Sequence, residues 1–179
     1  MWDFAGSLRP EIATGRSDLV AAPVARALAG LPSAADVGVA AIDATLADTT
    51  AFCAHYAVAM GDSANCVVVK GKRGGDIRFA ACVVLATTRA DVNGIVKRRL
   101  DVRSASFAPM DDAVALTGME YGGITPLGLP GDWPILVDAA VAASPGVVVG
   151  AGIRGAKLFL PGSVLAALPN AEVIEGLGR

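Results

Sequence analysis

Two apolar runs, Asn65–Lys70 and Ile77–Thr87, flank Gly71-Lys72-Arg73-Gly74-Gly75-Asp76, a short polar turn rich in glycine. Such runs pair as an antiparallel hairpin, because the connection is far too short for the crossover that parallel strands need. Helices are expected near Asp18–Ala29, Leu46–Met60 (N-capped at Asp48), Ala90–Leu100 and Gly162–Leu168. Another should open at Pro109 and stop at Gly118. Further strands fit Val37–Ile42, Ile135–Val137, Val147–Ala151 and Lys157–Leu160. Strands and helices intermixed around a hairpin predict an α+β fold rather than a doubly wound parallel sheet.

At 179 residues, 54% hydrophobic and 18% charged, the chain reads as one domain with its own core rather than a disordered segment. The most apolar stretch, Val137–Ile153, is interrupted by Asp138, Pro145 and glycines, so no membrane span is expected. Met1-Trp2-Asp3-Phe4 lacks the basic start and apolar run of a signal peptide, and a soluble cytoplasmic protein is expected. Cys53, Cys66 and Cys82 form no CxxC pair. With one histidine in the chain, neither a zinc site nor another metal or cofactor is expected.

The formal net charge of −2 conceals a segregation. Residues 70–103 carry nine Lys and Arg against three Asp, a local +6, between flanks of −4 each. Two readings stand: a face that meets a polyanion, or a solvated face with cations at a helix end.

The chain lacks a nucleophile elbow, a phosphate-binding P-loop and an HExxH pair. His55 falls within a predicted helix and reads as a surface or boundary residue; Cys66 reads as a buried apolar one. Two features stand out. Lys70 ends the run Cys66-Val67-Val68-Val69, and alternation puts it on one face with Cys66 and Val68. Its ammonium must reach an anion or polar pocket, or snorkel to solvent. The second is Thr117-Gly118-Met119-Glu120-Tyr121-Gly122-Gly123-Ile124-Thr125-Pro126-Leu127-Gly128, whose glycines allow close approach of backbone to a ligand.

Together, Val67-Val68-Val69-Lys70 and the 117–128 loop resemble the YbaK-like family of aminoacyl-tRNA deacylases, which includes the editing domain of bacterial prolyl-tRNA synthetases. Val137-Asp138-Ala139 and Gly150-Ala151-Gly152-Ile153-Arg154-Gly155 follow in the family's order. The resemblance covers roughly Leu46–Leu168 as an editing core. Residues 1–35 match no known pattern and form an extension of unassigned role.

The resemblance implies a curved, mostly antiparallel mixed sheet, barrel-like and surrounded by helices. It implies hydrolysis of the ester joining a wrong amino acid to tRNA, by a free-standing enzyme. Lys70 takes the place of the family's essential lysine, and backbone at Gly122 would hold the ester carbonyl. Gly123, Ile124, Pro126, Gly150 and Gly152 would shape a pocket for a small amino acid. Lys72, Arg73, Arg98, Arg99 and Arg103 would meet tRNA, and an aminoacyl-tRNA synthetase is a further partner to consider. Two positions depart from the family pattern. Lys157 stands where some members have Asp, and Gly71 stands where Thr or Asn often follows the lysine. They motivate the alternative of a catalytically inactive module that binds tRNA, a synthetase or a small ligand.

Overall fold

The computed structural model describes residues 2–179. Its elements are, in chain order, β1 (Glu11–Ile12), α1 (Ala22–Ala29), β2 (Gly38–Ala41), α2 (Thr49–Tyr56), β3 (Ala64–Arg73) and β4 (Asp76–Leu85). A wider helical turn over Val92–Val96 leads into α3 (Lys97–Arg99), followed by β5 (Ser104–Phe107), α4 (Met110–Thr117), β6 (Ile135–Asp138) and α5 (Ala139–Ala142). The chain ends with β7 (Val147–Gly150), β8 (Ala156–Leu160), α6 (Gly162–Ala166) and β9 (Ala171–Ile174).

The hairpin is present and longer than expected. Pairing continues to Arg73↔Asp76, so only Gly74-Gly75 remain as the loop, with Gly74 at φ +60°. Gly71 therefore belongs to the strand, where a Cβ would lie 2.8 Å from both γ-methyls of Val102. Packing accounts for its departure from the family pattern.

β3 and β4 sit within a five-stranded sheet of order β5-β3-β4-β6-β9, antiparallel except at β4–β6 and β6–β9. A second sheet, β1-β2-β8-β7, is antiparallel throughout. The fold is thus α+β with mixed, mostly antiparallel sheets flanked by helices, as expected. The barrel-like closure is not found. A single parallel bridge, Ser63↔Val148, joins the sheets, and among the described residues their outer edges do not pair.

The main core lies between the sheets, where Val83 and Val137 meet Val149, Leu158 and Leu160 beneath Val24 and Leu28 of α1. Val92, Val96, Leu100 and Val102 cover the far face of the large sheet over Val69, Ala80 and Cys82. Phe52 and Cys53 of α2 cover the small sheet at Val148 and Phe159. The N-terminal residues contribute to these layers: α1 enters the main core, and the Trp2 ring fills the space above Gly38.

Helix ends moved for local reasons. α1 starts at Ala22 rather than Asp18, since Pro23 has no N–H for a helix running from Asp18 and suits only a first turn. α2 starts at its predicted cap, where the Asp48 carboxylate accepts from the N–H groups of Thr50 and Ala51. It ends early, at Ala57 with φ +58°, rather than at Gly61.

Candidate active site

A cleft of about 490 Å³ opens where α2, β3, α4 and the loop after α4 converge. Cys66 and Val68 form its β3 wall. The capped end of α2 brings Asp48, Thr49 and Thr50, and the Thr49 hydroxyl donates to Asn65 Oδ1 at 2.8 Å, tying helix to strand. Ala113 of α4, Tyr121, Gly122 and Ile124 of the loop, Gly150 of β7 and Lys157 of β8 complete the lining.

The loop is laminated onto the β7–β8 connection. Gly118 ends α4 at φ +67°. The Glu120 N–H then donates to Gly152 O at 2.9 Å, and the Gly152 N–H to Gly123 O at 2.7 Å. Arg154 locks the pair from outside: its N–H reaches Glu120 Oε2 at 2.8 Å, and its guanidinium reaches Tyr121 O and Ala44 O, each at 3.2 Å. Two backbones in contact leave no room for side chains. A Cβ on Gly150 would lie 2.4 Å from Gly123 O, and one on Gly123 2.6 Å from the Ile153 carbonyl. This cleft wall is bare backbone because glycine is required there.

Of the expected pocket residues, Gly122, Ile124 and Gly150 line the cleft, while Gly123, Pro126 and Gly152 stand behind its wall. The Gly123 N–H is already donated to Glu120 O at 2.9 Å. Among the loop residues that line the cleft, the amides of Tyr121, Gly122 and Ile124 have no backbone acceptor.

Lys70 shares the face of Cys66 and Val68 but lies beyond the lining, about 7 Å further along β3 than Val68. It does not snorkel free. Its Nζ is 2.6 Å from Asp112 Oδ2 of α4 and 5.8 Å from the centroid of Phe79, which stacks on Trp133. Neither partner lines the cleft, although Val68 of the same strand face and Ala113, next to Asp112 on α4, do.

Lys157, marked in the sequence only as a departure from the family pattern, lines the cleft and is only 7% exposed. The signal that singles out Lys70, a lysine within an apolar run, is present again in Ala156-Lys157-Leu158-Phe159-Leu160. Burial pushes its pKa down, opposed by Cys53 and Asp48 and assisted by Arg154.

Cys66 is half-buried in the wall, and desolvation pushes its thiol up, as it pushes Cys82 up to about 12, so neither supplies a thiolate at neutral pH. His55 is exposed at the end of α2, edge-on to the Tyr56 ring. Among the described residues no three His, Cys, Asp or Glu side chains gather as a metal site requires. No described helix is long and apolar enough to cross a membrane.

The basic block divides between two faces. Lys72 is exposed on the same face of β3 as Lys70, whereas Arg98 and Arg103 are exposed on the segment covering the opposite face. Arg73 is paired with Asp101, and Arg99 with Glu172.

Residues 43–168 match the sequence profile of the aminoacyl-tRNA editing domain. No curated protein sequence matches the chain. Among solved structures, a scaffold protein from work on epitope backbone grafting by computational design superposes with a TM-score of 0.74 at 23% identity, over 89% of this chain and 97% of that one. A candidate trans-editing enzyme for prolyl-tRNA synthetase superposes with a TM-score of 0.71 at 22% identity, over 88% of this chain and 98% of that one.

Proposed function

The chain belongs to the aminoacyl-tRNA editing domain family, and from that premise we propose that it is a free-standing hydrolase of mischarged tRNA carrying a small amino acid. The observation that carries this reading is the cleft wall at Gly122 and Gly150, built from backbone alone, with Lys70 held by Asp112 two residues along β3 from the lining residue Val68. Such a wall limits the acyl group by size, which suits removal of small residues that a synthetase discriminates poorly.

In this reading the 3′ end of tRNA passes Lys70 and places its ester in the cleft. Lys70 has three N–H donors and uses one on Asp112, leaving two for a phosphate or the ester region. The amides of Gly122 and Ile124 take the carbonyl oxygen, where negative charge develops. A water adds to the carbonyl carbon, assisted by the ribose 2′-hydroxyl or a second water. The bond from that carbon to the ribose oxygen breaks, and the ribose oxygen takes a proton. Free amino acid and tRNA leave. An aminoacyl ester is already activated, so positioning and oxyanion stabilisation suffice without a triad. Such a substrate, and the synthetase that mischarges it, would place the protein in the cytoplasm.

Tyr121, 55% exposed at the mouth, and Lys72 beyond Lys70 suit a nucleic-acid end by stacking and charge. The test is deacylation of tRNAs mischarged with Ala, Ser, Cys and Pro. Turnover of at least one above spontaneous hydrolysis is expected. Tight tRNA binding with no turnover would instead establish the non-catalytic module.

A further inference from the structure

Lys157 is the charged group of the cleft for which the proposed chemistry has no use. β8 presents it on the α2 side of the small sheet, cross-strand from Ala40 and Gly150. Its Nζ donates to Ala47 O at 3.0 Å and lies 5.3 Å from the centroid of Phe52. That accounts for one of three ammonium donors. Among the described residues no carboxylate lies within ion-pair distance of it. Asp48, the acid that most affects it, spends its carboxylate capping α2. The remaining neighbours are the Cys53 thiol, which shares its hydrogen bond with Ser63 at 3.3 Å, and Arg154, a like charge.

A nearly buried ammonium with two donors unused and no counterion is costly unless something in the cleft completes its shell. The α-amino group of an aminoacyl ester cannot do so when protonated, since it is cationic. The ester carbonyl is assigned to the amides of Gly122 and Ile124. What remains is the side chain of the amino acid, confined by the glycine wall to a small one. We propose that Lys157 is a specificity-determining residue that selects small acyl groups bearing a side-chain oxygen, as in serine, over apolar groups of similar size, as in alanine. The inference rests on the editing reading of the cleft and narrows its substrate class. A site built to hydrogen-bond a substrate oxygen rejects the analogue lacking it, because its own polar group is then left unpaired.

The experiment pairs binding with turnover. Stable amide analogues, 3′-amino-3′-deoxyadenosine acylated with serine or with alanine, are titrated against wild type, Lys157→Met and Lys157→Gln. Wild type should bind the seryl analogue roughly 10- to 100-fold more tightly than the alanyl one, the range of a charge-assisted hydrogen bond. Lys157→Met should abolish the ratio, and Lys157→Gln, which keeps an N–H donor, should retain part of it. A purely structural tie to Ala47 would lower both affinities together and leave the ratio unchanged, which overturns the proposal. So does equal binding of the two analogues by wild type. Turnover of both esters without discrimination removes the role of Lys157 and leaves the hydrolase. Selective binding of the seryl analogue with no turnover of either ester removes the hydrolase and keeps the role of Lys157.

Discussion

At the residue scale, the two lysines behave differently although the same signal marks both. Lys70 reaches a half-exposed carboxylate, and such pairs contribute little to stability, about 0–1 kcal/mol. Lys157 is charged at the cost of its own desolvation, so its folded pKa lies below the ordinary 10.5. Between the lowered value and 10.5 the unfolded chain holds the proton more firmly, and stability rises with pH across that window. Lys157→Met should therefore show its greatest advantage over wild type, or its smallest deficit, on the acid side. The difference should shift in favour of wild type as pH climbs to 10.5, measured by urea denaturation of both proteins. A difference independent of pH would show that burial costs the ammonium nothing. Lys70 was legible because an ammonium at the end of an apolar run demands a partner. Lys157 was not, because alternation within β8 does not reveal that one of its faces opens into a cleft walled by distant segments. The roles of Gly123 and Gly152 behind the wall were equally hidden, since a glycine pattern does not say which backbone it lies against.

At the scale of elements, α2 links stability to the cleft. Its first turn lines the cleft, and Asp48 closes it by accepting two N–H bonds. Asp48→Ala should cost about 1 kcal/mol, seen as a lower Tm, and should raise KM as the Thr49–Asn65 tie loosens. An unchanged Tm would mean that water caps the helix as well. This cap was readable because its signal is local, an Asp at the head of a helical run. So was the hairpin, whose strands are adjacent in sequence. The pairing of β4 with β6 and of β6 with β9 was not, because parallel partners far apart in the chain leave no local trace. β5 was missed too: Ser104–Phe107 is short and largely exposed, and it is held by register against β3 rather than by an apolar pattern. The helix expected from Leu46 to Met60 was overextended because Ala57 takes a left-handed conformation that an alanine does not advertise.

For the whole molecule, a local +6 inside a chain of net −2 is distributed over two faces of one hairpin. Of the five cations expected to meet tRNA, Lys72 is the exposed one that shares Lys70's face of β3, so a tRNA end entering there should meet it first. Neutralising Lys72 should lower the slope of log affinity against log salt by roughly 0.7 to 1, the value for one phosphate contact. Neutralising Arg98 and Arg103 together should change it less; the reverse order would mean that tRNA docks on the α3 side. The proposed hydrolysis of an aminoacyl ester in the cleft depends on Lys70 beside it. The direct measurement is the single-turnover deacylation rate of the best substrate by wild type and by Lys70→Ala at matched stability. Wild type should hydrolyse the ester well above the spontaneous rate, and the variant should lose roughly 100-fold or more, as for removal of a group that positions substrate. Equal rates in the two proteins would contradict that dependence.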